Sequence, residues 1–419
     1  MAKAGSGARA AAVVAMTAVT EEGRLLSDAL AKATSGLEPS DTARAGRLAT
    51  GALRWAGRSD RLLGPHLRMK PEEQVMNILR LALFEMYAEG TPSHAAVDGA
   101  VSLAARPKAG LVNGVLRNIQ RRDPDWSALP VPSIQKWLKK RLVAAWGKEA
   151  VAAMEAVQAT EPPLDLTLRD PATAEAWAQT LDAEILPTGS LRLRQHGQIS
   201  ALPGFAEGAW WVQDAGATMA VRVLDPKPGE RILDLCAAPG GKAMQLAAAG
   251  ATVTALDIAA DRMARVGENL SRTGLAADLV VADMMTWEPD APFDAILLDA
   301  PCSATGTLRR HPDLAYARDG SGIDMLTELQ AAMLDRALGW LTPGGRLVYC
   351  TCSLLPEEGE AQRDGVLARQ PNATLSDHVP EGTDPVWIAS GGGLRLRPDH
   401  WAERGGIDGF FIMRLEKRP

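Results

Sequence analysis

The sequence predicts an α/β fold in which a doubly wound sheet follows an all-helical bundle and a small α+β subdomain. Strand and helix patterns alternate regularly after Gly229, which is typical of a parallel sheet covered by helices. Residues 8–122 show helical periodicity without a strand pattern, and residues 164–212 show short alternating segments. We therefore expect domains at residues 1–125, 126–212 and 213–419.

Composition places the chain among globular proteins of more than one domain. Its 419 residues exceed what one core usually serves, and 46% hydrophobic with 23% charged residues is not the balance of a disordered chain. The net charge of −6 and the pI near 5.7 do not indicate a general affinity for nucleic acid. Any RNA-binding surface must therefore be a local basic patch.

Cysteine usage and the N-terminal segment bear on the compartment. The four cysteines begin only at Cys236 and do not form a disulfide framework, so we expect a reducing compartment, the cytoplasm. Residues 10–19 imitate a signal peptide, but Glu21 and Glu22 follow without a cleavage site, which favours an amphipathic first helix. No segment approaches the roughly 20 apolar residues that span a bilayer. A monomer is expected, since nothing has the pattern of an assembly helix.

The N-terminal region is predicted to be a bundle of helices separated by Pro92 and, further along, by Pro107. The last helix, with Gly110-Leu111-Val112-Asn113-Gly114-Val115-Leu116-Arg117-Asn118, and the earlier Gly51-Ala52-Leu53-Arg54 resemble the helical domain of the antitermination factor NusB. This resemblance implies an RNA-binding domain. The alternative is a structural bundle that only docks on the rest of the chain.

The middle of the chain begins with a proline-rich linker at residues 123–132, and a helix is predicted at residues 134–146. That helix carries Lys136, Lys139, Lys140 and Arg141 beside Trp137 and Trp146. An RNA-contacting patch and a solvated face anchored by tryptophan both fit this pattern. Strands at residues 164–169 and 190–194, with a helix at residues 172–181, predict the small α+β subdomain.

In the C-terminal domain the alternation of strand and helix patterns predicts a Rossmann-like order of elements. Strands are expected at residues 231–236, 251–257, 278–283, 293–299 and 346–352, with helices at 241–249, 260–273 and 325–341. Residues 394–397 and 410–415 predict a closing pair of strands around a glycine-rich turn.

A small-residue loop after the first of these strands predicts a nucleoside cofactor. The loop consists of Cys236, Ala237, Ala238, Pro239, Gly240, Gly241 and Lys242. Neither a Gly-x-Gly-x-x-Gly sequence nor a Walker sequence is present, so S-adenosylmethionine is the expected cofactor. Asp257 can accept hydrogen bonds from both ribose hydroxyls, and Asp283 can accept one from the adenine amino group. Aspartates at strand ends also often cap the helix that follows. Lys242 either pairs with a carboxylate or begins a helix at the surface.

Two cysteines at the ends of predicted strands indicate nucleophilic chemistry on a pyrimidine ring. Cys302 lies in Asp299-Ala300-Pro301-Cys302-Ser303, and Cys352 lies in Thr351-Cys352-Ser353. A thiolate that adds to carbon 6 of cytosine makes carbon 5 nucleophilic, and a second group must help the adduct collapse. Asp299, if protonated, can donate to ring N3 and orient the exocyclic amine. The residues alone do not decide which cysteine attacks.

From about residue 210 onward these motifs resemble the RNA cytosine-5 methyltransferases of the Nol/Nop/Sun group, which have the class I methyltransferase fold. With the NusB-like region, the whole chain resembles the bacterial members that modify small-subunit (16S) ribosomal RNA. The resemblance implies Cys352 as nucleophile, whereas DNA cytosine-5 methyltransferases use the cysteine equivalent to Cys302. It assigns Cys302 to product release and Asp299 to the base. The implied cofactor site comprises residues 236–242, Asp257, Asp283 and Asp299, and the implied partner is 16S ribosomal RNA or an assembly intermediate.

Other interpretations remain. A zinc site built from Cys236, Cys302, Cys350 and Cys352 lacks paired Cys-x-x-Cys or histidine spacing, so no metal is expected. The same chemistry on transfer RNA or another ribosomal site, and a non-catalytic RNA-binding module, are the functional alternatives. Cys350 lies on the same strand face as Cys352 and is expected to be buried and inert.

Overall fold

The computed structural model describes residues 6–195 and 197–418, which divide into two compact units. The first unit contains the chain as far as Glu161 and also Leu308–Gly320, and the second contains Pro162–Thr307 and the chain from Ser321 onward. The units are therefore not consecutive in sequence, because a short segment of the C-terminal half folds with the N-terminal helices.

The first unit is a helical bundle, as predicted. Its helices are α1 (Ser6–Glu22), α2 (Leu26–Ala33), α3 (Pro39–Arg54), α4 (Ala56–Leu63), α5 (Glu73–Tyr87), α6 (Ser93–Leu103), α7 (Arg106–Arg122) and α8 (Lys136–Gln158). Helix α1 buries Ala12, Met16 and Val19 in the core at 0% exposure. Since these residues recur at helical spacing, the expected amphipathic first helix is confirmed.

The segment Leu308–Gly320 completes this unit through polar contacts with its helices. Asp313 Oδ2 accepts from the backbone N–H of Leu26 at 2.9 Å, at the start of α2. The buried Arg54 guanidinium donates to the carbonyl of Arg309 at 2.6 Å. A buried guanidinium needs such acceptors, so the helical unit is incomplete without a segment more than 140 residues away in sequence.

Helix α8 extends beyond the predicted residues 134–146. It begins at Lys136 and contains a break at Gly147, whose φ of 83° lies outside the helical region. Lys139, predicted as part of a basic patch, pairs instead with the buried Glu155, with Nζ 2.7 Å from Oε1. Lys136, Lys140 and Arg141 are exposed.

The second unit begins with a small antiparallel sheet of order β2-β3-β1-β4. Its elements are β1 (Leu164–Leu168), α9 (Ala174–Leu181), β2 (Glu184–Ile185), β3 (Leu191–Leu193) and β4 (Trp210–Val212). The predicted strands β1 and β3 and helix α9 are present. Strands β2 and β4 were not predicted, because two or three residues are too short to display a period of two.

The main sheet has the order β10-β12-β9-β8-β5-β6-β7, with β11 paired to β12. Its strands are β5 (Arg231–Leu235), β6 (Thr252–Asp257), β7 (Asp278–Val281), β8 (Phe293–Asp299), β9 (Leu341–Thr351), β10 (Ala373–Leu375), β11 (Leu394–Leu396) and β12 (Phe410–Lys417). The helices of the unit are α10 (Ala215–Leu224), α11 (Gly241–Ala248), α12 (Ala260–Thr273), α14 (Ile323–Gly339) and α15 (Glu360–Arg369), while α13 (Leu314–Ala317) belongs to the helical unit.

Strands β5 to β9 pair in parallel and β10 to β12 add antiparallel strands at one side. The predicted Rossmann-like doubly wound sheet is thus confirmed. Alternate residues of β5 enter opposite cores, Ile232 on one face and Leu233 on the other. Among the described residues, no helix is long and apolar enough to cross a membrane.

Candidate functional site

The predicted site residues of the second unit collect at the carboxyl edge of its parallel strands. The chain runs from β5 outward to β6 and β7, and then returns to place β8 on the other side of β5. This reversal opens a crevice between the ends of β5 and β8, where ligands of such sheets bind. Lys242 follows β5 and Asp299 ends β8, so both residues lie at the crevice.

The loop after β5 has a conformation that its small residues permit. Cys236 has a φ of 61° and Gly240 a φ of 101°, both in the left-handed region. A Cβ atom at Gly240 would lie 3.0 Å from Cγ1 of Val266, so α12 approaches this turn closely. Ala237 and Ala238 are buried, and α11 begins at Gly241. The N–H groups at the start of α11 therefore point toward the crevice.

The acids after β6 and β7 differ in their surroundings. Asp257 is 3% exposed; its Oδ2 accepts from the N–H of Ala238 at 3.2 Å and its Oδ1 from that of Ala259 at 3.0 Å. It thus ties the β5 loop to the end of β6 and also caps the following turn. Asp283 is exposed, and its Oδ1 accepts from the N–H of Met285 at 2.9 Å. Both carboxylates keep further lone pairs for ligand hydroxyl or amino groups.

Asp234 is the most unusual acid of the site, although the sequence analysis gave it no role. It is 0% exposed, and neither carboxyl oxygen has a hydrogen-bond partner. Burial raises its pKa to about 8, with Lys242 opposing that effect and Asp299 adding to it. An unpaired buried carboxyl group beside the small-residue loop suits a cationic ligand group, such as the ammonium of a methionine moiety.

Lys242 and Asp299 form an ion pair across the crevice. Lys242 Nζ lies 2.6 Å from Oδ2 of Asp299, and the Cys350 thiol donates to Oδ1 at 3.4 Å. Burial has the largest single effect and lowers the pKa of Lys242, but Asp299, Cys350 and Asp234 together raise it by more, so the net shift is upward. Of the two alternatives given for Lys242, pairing with a carboxylate is the one observed. In this structure Asp299 accepts hydrogen bonds at both oxygens, Oδ2 from Lys242 and Oδ1 from Cys350.

The two motif cysteines meet although 50 residues separate them. Cys302 Sγ lies 3.5 Å from Cys352 Sγ, within reach of a sulfur hydrogen bond. The pKa of Cys302 is raised because its thiol interacts with Cys352 and because it is buried. Cys302 therefore retains its proton while it faces Cys352.

The other two thiols are held in protonated form. Burial, with a smaller effect of Asp299, raises the pKa of both Cys236 and Cys350. Cys350 is 0% exposed, which confirms the expectation that it is buried. All four cysteines are free, and no cluster of the described residues has the side chains to hold a metal ion.

Glu358 is a site residue that the sequence analysis missed. Its side chain is 0% exposed and accepts from the residues that follow both motif cysteines, Ser303 and Ser353. The only sequence signal is an acid shortly after Thr351-Cys352-Ser353 in a proline-led turn. Such a signal is not distinguishable from a surface acid without the fold.

The helical unit carries a separate basic surface on α7. That helix has five cations and no acidic residue: Arg106, Lys108, Arg117, Arg121 and Arg122. A shallow cavity of about 610 Å³ is lined by Asn113, Gly114, Arg117, Asn118, Gln120 and Arg121. Because the lining consists of amides, guanidinium groups and glycine, this surface suits an anionic partner.

Comparison with known proteins identifies relatives of both parts of the chain. A family model described as 16S rRNA methyltransferase RsmB/F matches residues 221–416, and a model of the NusB family matches residues 6–121. Ribosomal RNA small subunit methyltransferase B of Cronobacter sakazakii is 37% identical over 98% of both chains. The protein of the same description from Pseudomonas syringae pv. tomato is 36% identical over 98% of this chain and 96% of its own.

Solved structures agree with the fold. The crystal structure of PH0851 superposes with a TM-score of 0.77 at 23% identity and covers 100% of both chains. A methyltransferase homolog protein from Pyrococcus horikoshii gives a TM-score of 0.56 at 26% identity, over 72% of this chain and 98% of that one. The expected class of fold, a Rossmann-like sheet preceded by a helical bundle, is thereby confirmed.

Proposed function

This chain belongs to the 16S rRNA methyltransferase RsmB/F family, and we propose that it uses S-adenosylmethionine to form 5-methylcytosine in small-subunit ribosomal RNA. The observation that carries the proposal is the 3.5 Å separation of the Cys302 and Cys352 sulfur atoms. Two thiols at one sheet edge suit a reaction that needs a nucleophile and a second group to release it.

The residues present fit S-adenosylmethionine, which supplies an electrophilic methyl group. The unpaired carboxyl of Asp234 suits the ammonium of the methionine moiety, and Asp257 suits the ribose hydroxyls. Asp283 is available to the adenine amino group. The small residues 236–241 bring backbone groups close to the ligand without steric conflict.

In the proposed mechanism the Cys352 thiolate adds to carbon 6 of cytosine, and a carbon–sulfur bond forms. Carbon 5 then takes the methyl group, and S-adenosylhomocysteine is the leaving group. The carbon 5 proton passes to a base, its electron pair restores the 5,6 double bond, and the Cys352 thiolate departs. Cys302 lies beside the departing sulfur and stabilises it by hydrogen bonding.

The Lys242–Asp299 pair is proposed to contact the target base during these steps. The ammonium of Lys242 can stabilise negative charge that develops on the ring as the thiolate adds. Asp299 can accept from the exocyclic amine while Cys350 and Lys242 hold its two oxygens in place. The pair thus distinguishes cytosine by its amino group.

The α7 surface is proposed to bind RNA phosphates, since a chain of net charge −6 needs a local basic patch for that purpose. Its glycines Gly110 and Gly114 have open space where a Cβ would lie, so the sugar–phosphate backbone of RNA can approach the helix. The free state of all four cysteines supports the reducing cytoplasm as the place of action.

The proposal is tested by incubating the protein with methyl-labelled S-adenosylmethionine and protein-free 16S ribosomal RNA, followed by digestion to nucleosides. Label in 5-methylcytidine is expected from the unchanged protein and none from Cys352→Ala. Label in any other nucleoside would contradict the assigned chemistry. Preferential labelling of transfer RNA in a parallel reaction would instead support the alternative substrate.

A further inference from the structure

A fully buried carboxyl group joins the two turns that carry the motif cysteines. Glu358 ends a short 3-10 turn, Pro356–Glu358, and is 0% exposed. Its Oε2 accepts from the hydroxyls of Ser303 and Ser353, each at 2.5 Å, and its Oε1 accepts from the N–H of Ser303 at 2.9 Å. The residue that follows each cysteine is therefore held by one carboxyl group.

The residues that precede the cysteines are held from the same position. Thr351 Oγ1 donates to the backbone carbonyl of Glu358 at 3.0 Å. Gln330 Nε2 donates to the carbonyl of Pro301 at 2.9 Å and to Oε1 of Glu358 at 3.1 Å. Each cysteine is thus bracketed on both sides by residues that Glu358 binds directly or through Gln330.

We infer that Glu358 is a positioning residue that fixes the separation of the Cys302 and Cys352 thiols, an inference that rests on the proposed function for its catalytic meaning. Burial of a carboxyl group is costly unless its oxygens accept several hydrogen bonds, and here they do. Its side-chain hydrogen bonds go to protein groups at the two turns and to Gln330, not to the thiols. Its effect on the reaction therefore passes through the positions of Cys302 and Cys352.

The consequence is geometric. The two turns come from strands β8 and β9, and the sheet alone fixes them only as far as Asp299 and Thr351. The 3.5 Å contact between the sulfur atoms lies beyond these strand ends. Because a misplacement of about 1 Å in a reacting group can cost about 100-fold in rate, a clamp on both turns has a direct effect on methyl transfer.

The first readout is independent of RNA. Dibromobimane becomes fluorescent when two neighbouring thiolates each displace one of its bromides, so it reports the Cys302–Cys352 contact in the full-length protein. We expect Glu358→Gln to slow this double alkylation at least about 10-fold. Glu357→Gln, an exposed residue of the same turn, is the matched control and is expected to react as the unchanged protein does. Cys302→Ala sets the background.

The second readout is steady-state methyl transfer. Glu358→Gln is expected to lower kcat by about 10- to 100-fold and to leave the KM for S-adenosylmethionine unchanged, since the acids at β5 to β7 are not among its partners. Ser353→Ala removes one donor and serves if Glu358→Gln does not fold. Combined with Glu358→Gln it is expected to add little, because both changes break the same contact.

Normal double alkylation and normal kcat in folded Glu358→Gln and Ser353→Ala would overturn the inference. Losses of double alkylation and of kcat that only match the fraction of unfolded protein would also overturn the inference. Fast alkylation of the unchanged protein and slow alkylation of Glu358→Gln, with methyl transfer absent from both, would uphold the clamp and refute the proposed function. The two claims can therefore fail separately.

Discussion

Replacement of Asp234 by asparagine is expected to stabilise the ligand-free protein at neutral pH and to weaken its binding of S-adenosylmethionine. The carboxyl group is fully buried without a hydrogen-bond partner, and its pKa is raised from 3.8 to about 8. Asparagine has the same shape but no ionisation to suppress. The substitution therefore removes a pH-dependent cost that the folded protein bears at this position.

The sign and size of that cost follow from linkage. A carboxyl group whose pKa is raised by folding contributes stability that is complete below about pH 4 and is lost as the pH rises toward about 8, because the unfolded chain has already released the proton. At pH 7, which is about 3 pH units above the ordinary pKa of 3.8, the carboxyl group is still protonated in the folded state and ionised in the unfolded state. At about 1.4 kcal/mol per unit, the difference is of order 4 kcal/mol.

Urea unfolding of both proteins at several values between pH 4 and pH 8 measures this effect. The stability of Asp234→Asn relative to the unchanged protein is expected to rise with pH across that range, and the exposed Asp377→Asn is measured in parallel as the control. Calorimetry with S-adenosylmethionine should show about 10- to 100-fold weaker binding by Asp234→Asn, since the amide oxygen carries no negative charge to pair with the ligand ammonium. A pH-independent difference, or unchanged binding, would refute this account of Asp234.

Three further predictions concern the base contact and the RNA. Lys242→Met should lower kcat about 100-fold without changing the circular dichroism spectrum, because Asp299 loses its 2.6 Å partner, and an unchanged kcat would exclude the pair from the reaction. Arg117→Glu with Arg121→Glu should weaken filter binding of 16S ribosomal RNA and reduce the salt slope by about 2; an unchanged slope would remove α7 from the interface. Methyl transfer to naked or partly assembled RNA should be faster than to mature small subunits, because the target base must be unstacked, and equal rates would contradict this.

Much of the fold follows from the sequence because the central elements have strong periodic patterns. Helix Ala260–Thr273 and strand Phe293–Asp299 have the predicted bounds residue for residue. Elements whose pattern is weak were missed, such as the three-residue strand Ala373–Leu375 at the sheet edge. The association of Leu308–Gly320 with the helical unit also has no local signal, since it depends on contacts such as that of Asp313 with Leu26.

The candidate site shows the same division. The motif spacing placed Asp299, Cys302 and Cys352 at strand ends, and in a parallel sheet such ends share one edge. The sequence did not reveal that Asp299 is the carboxylate that pairs with Lys242, because that contact depends on the reversal of strand order. Nor did it reveal Glu358, whose role depends on hydrogen bonds to two turns that are 50 residues apart.

The proposed mechanism requires that Cys352 attacks the base and that Cys302 assists release of the product. The most direct measurement is denaturing gel electrophoresis of the unchanged protein, Cys302→Ala and Cys352→Ala after incubation with S-adenosylmethionine and 16S ribosomal RNA. We expect a covalent protein–RNA adduct that accumulates with Cys302→Ala and is absent with Cys352→Ala. Accumulation with Cys352→Ala alone would reverse the two roles, and the absence of any adduct and of any methyl transfer would contradict the covalent mechanism.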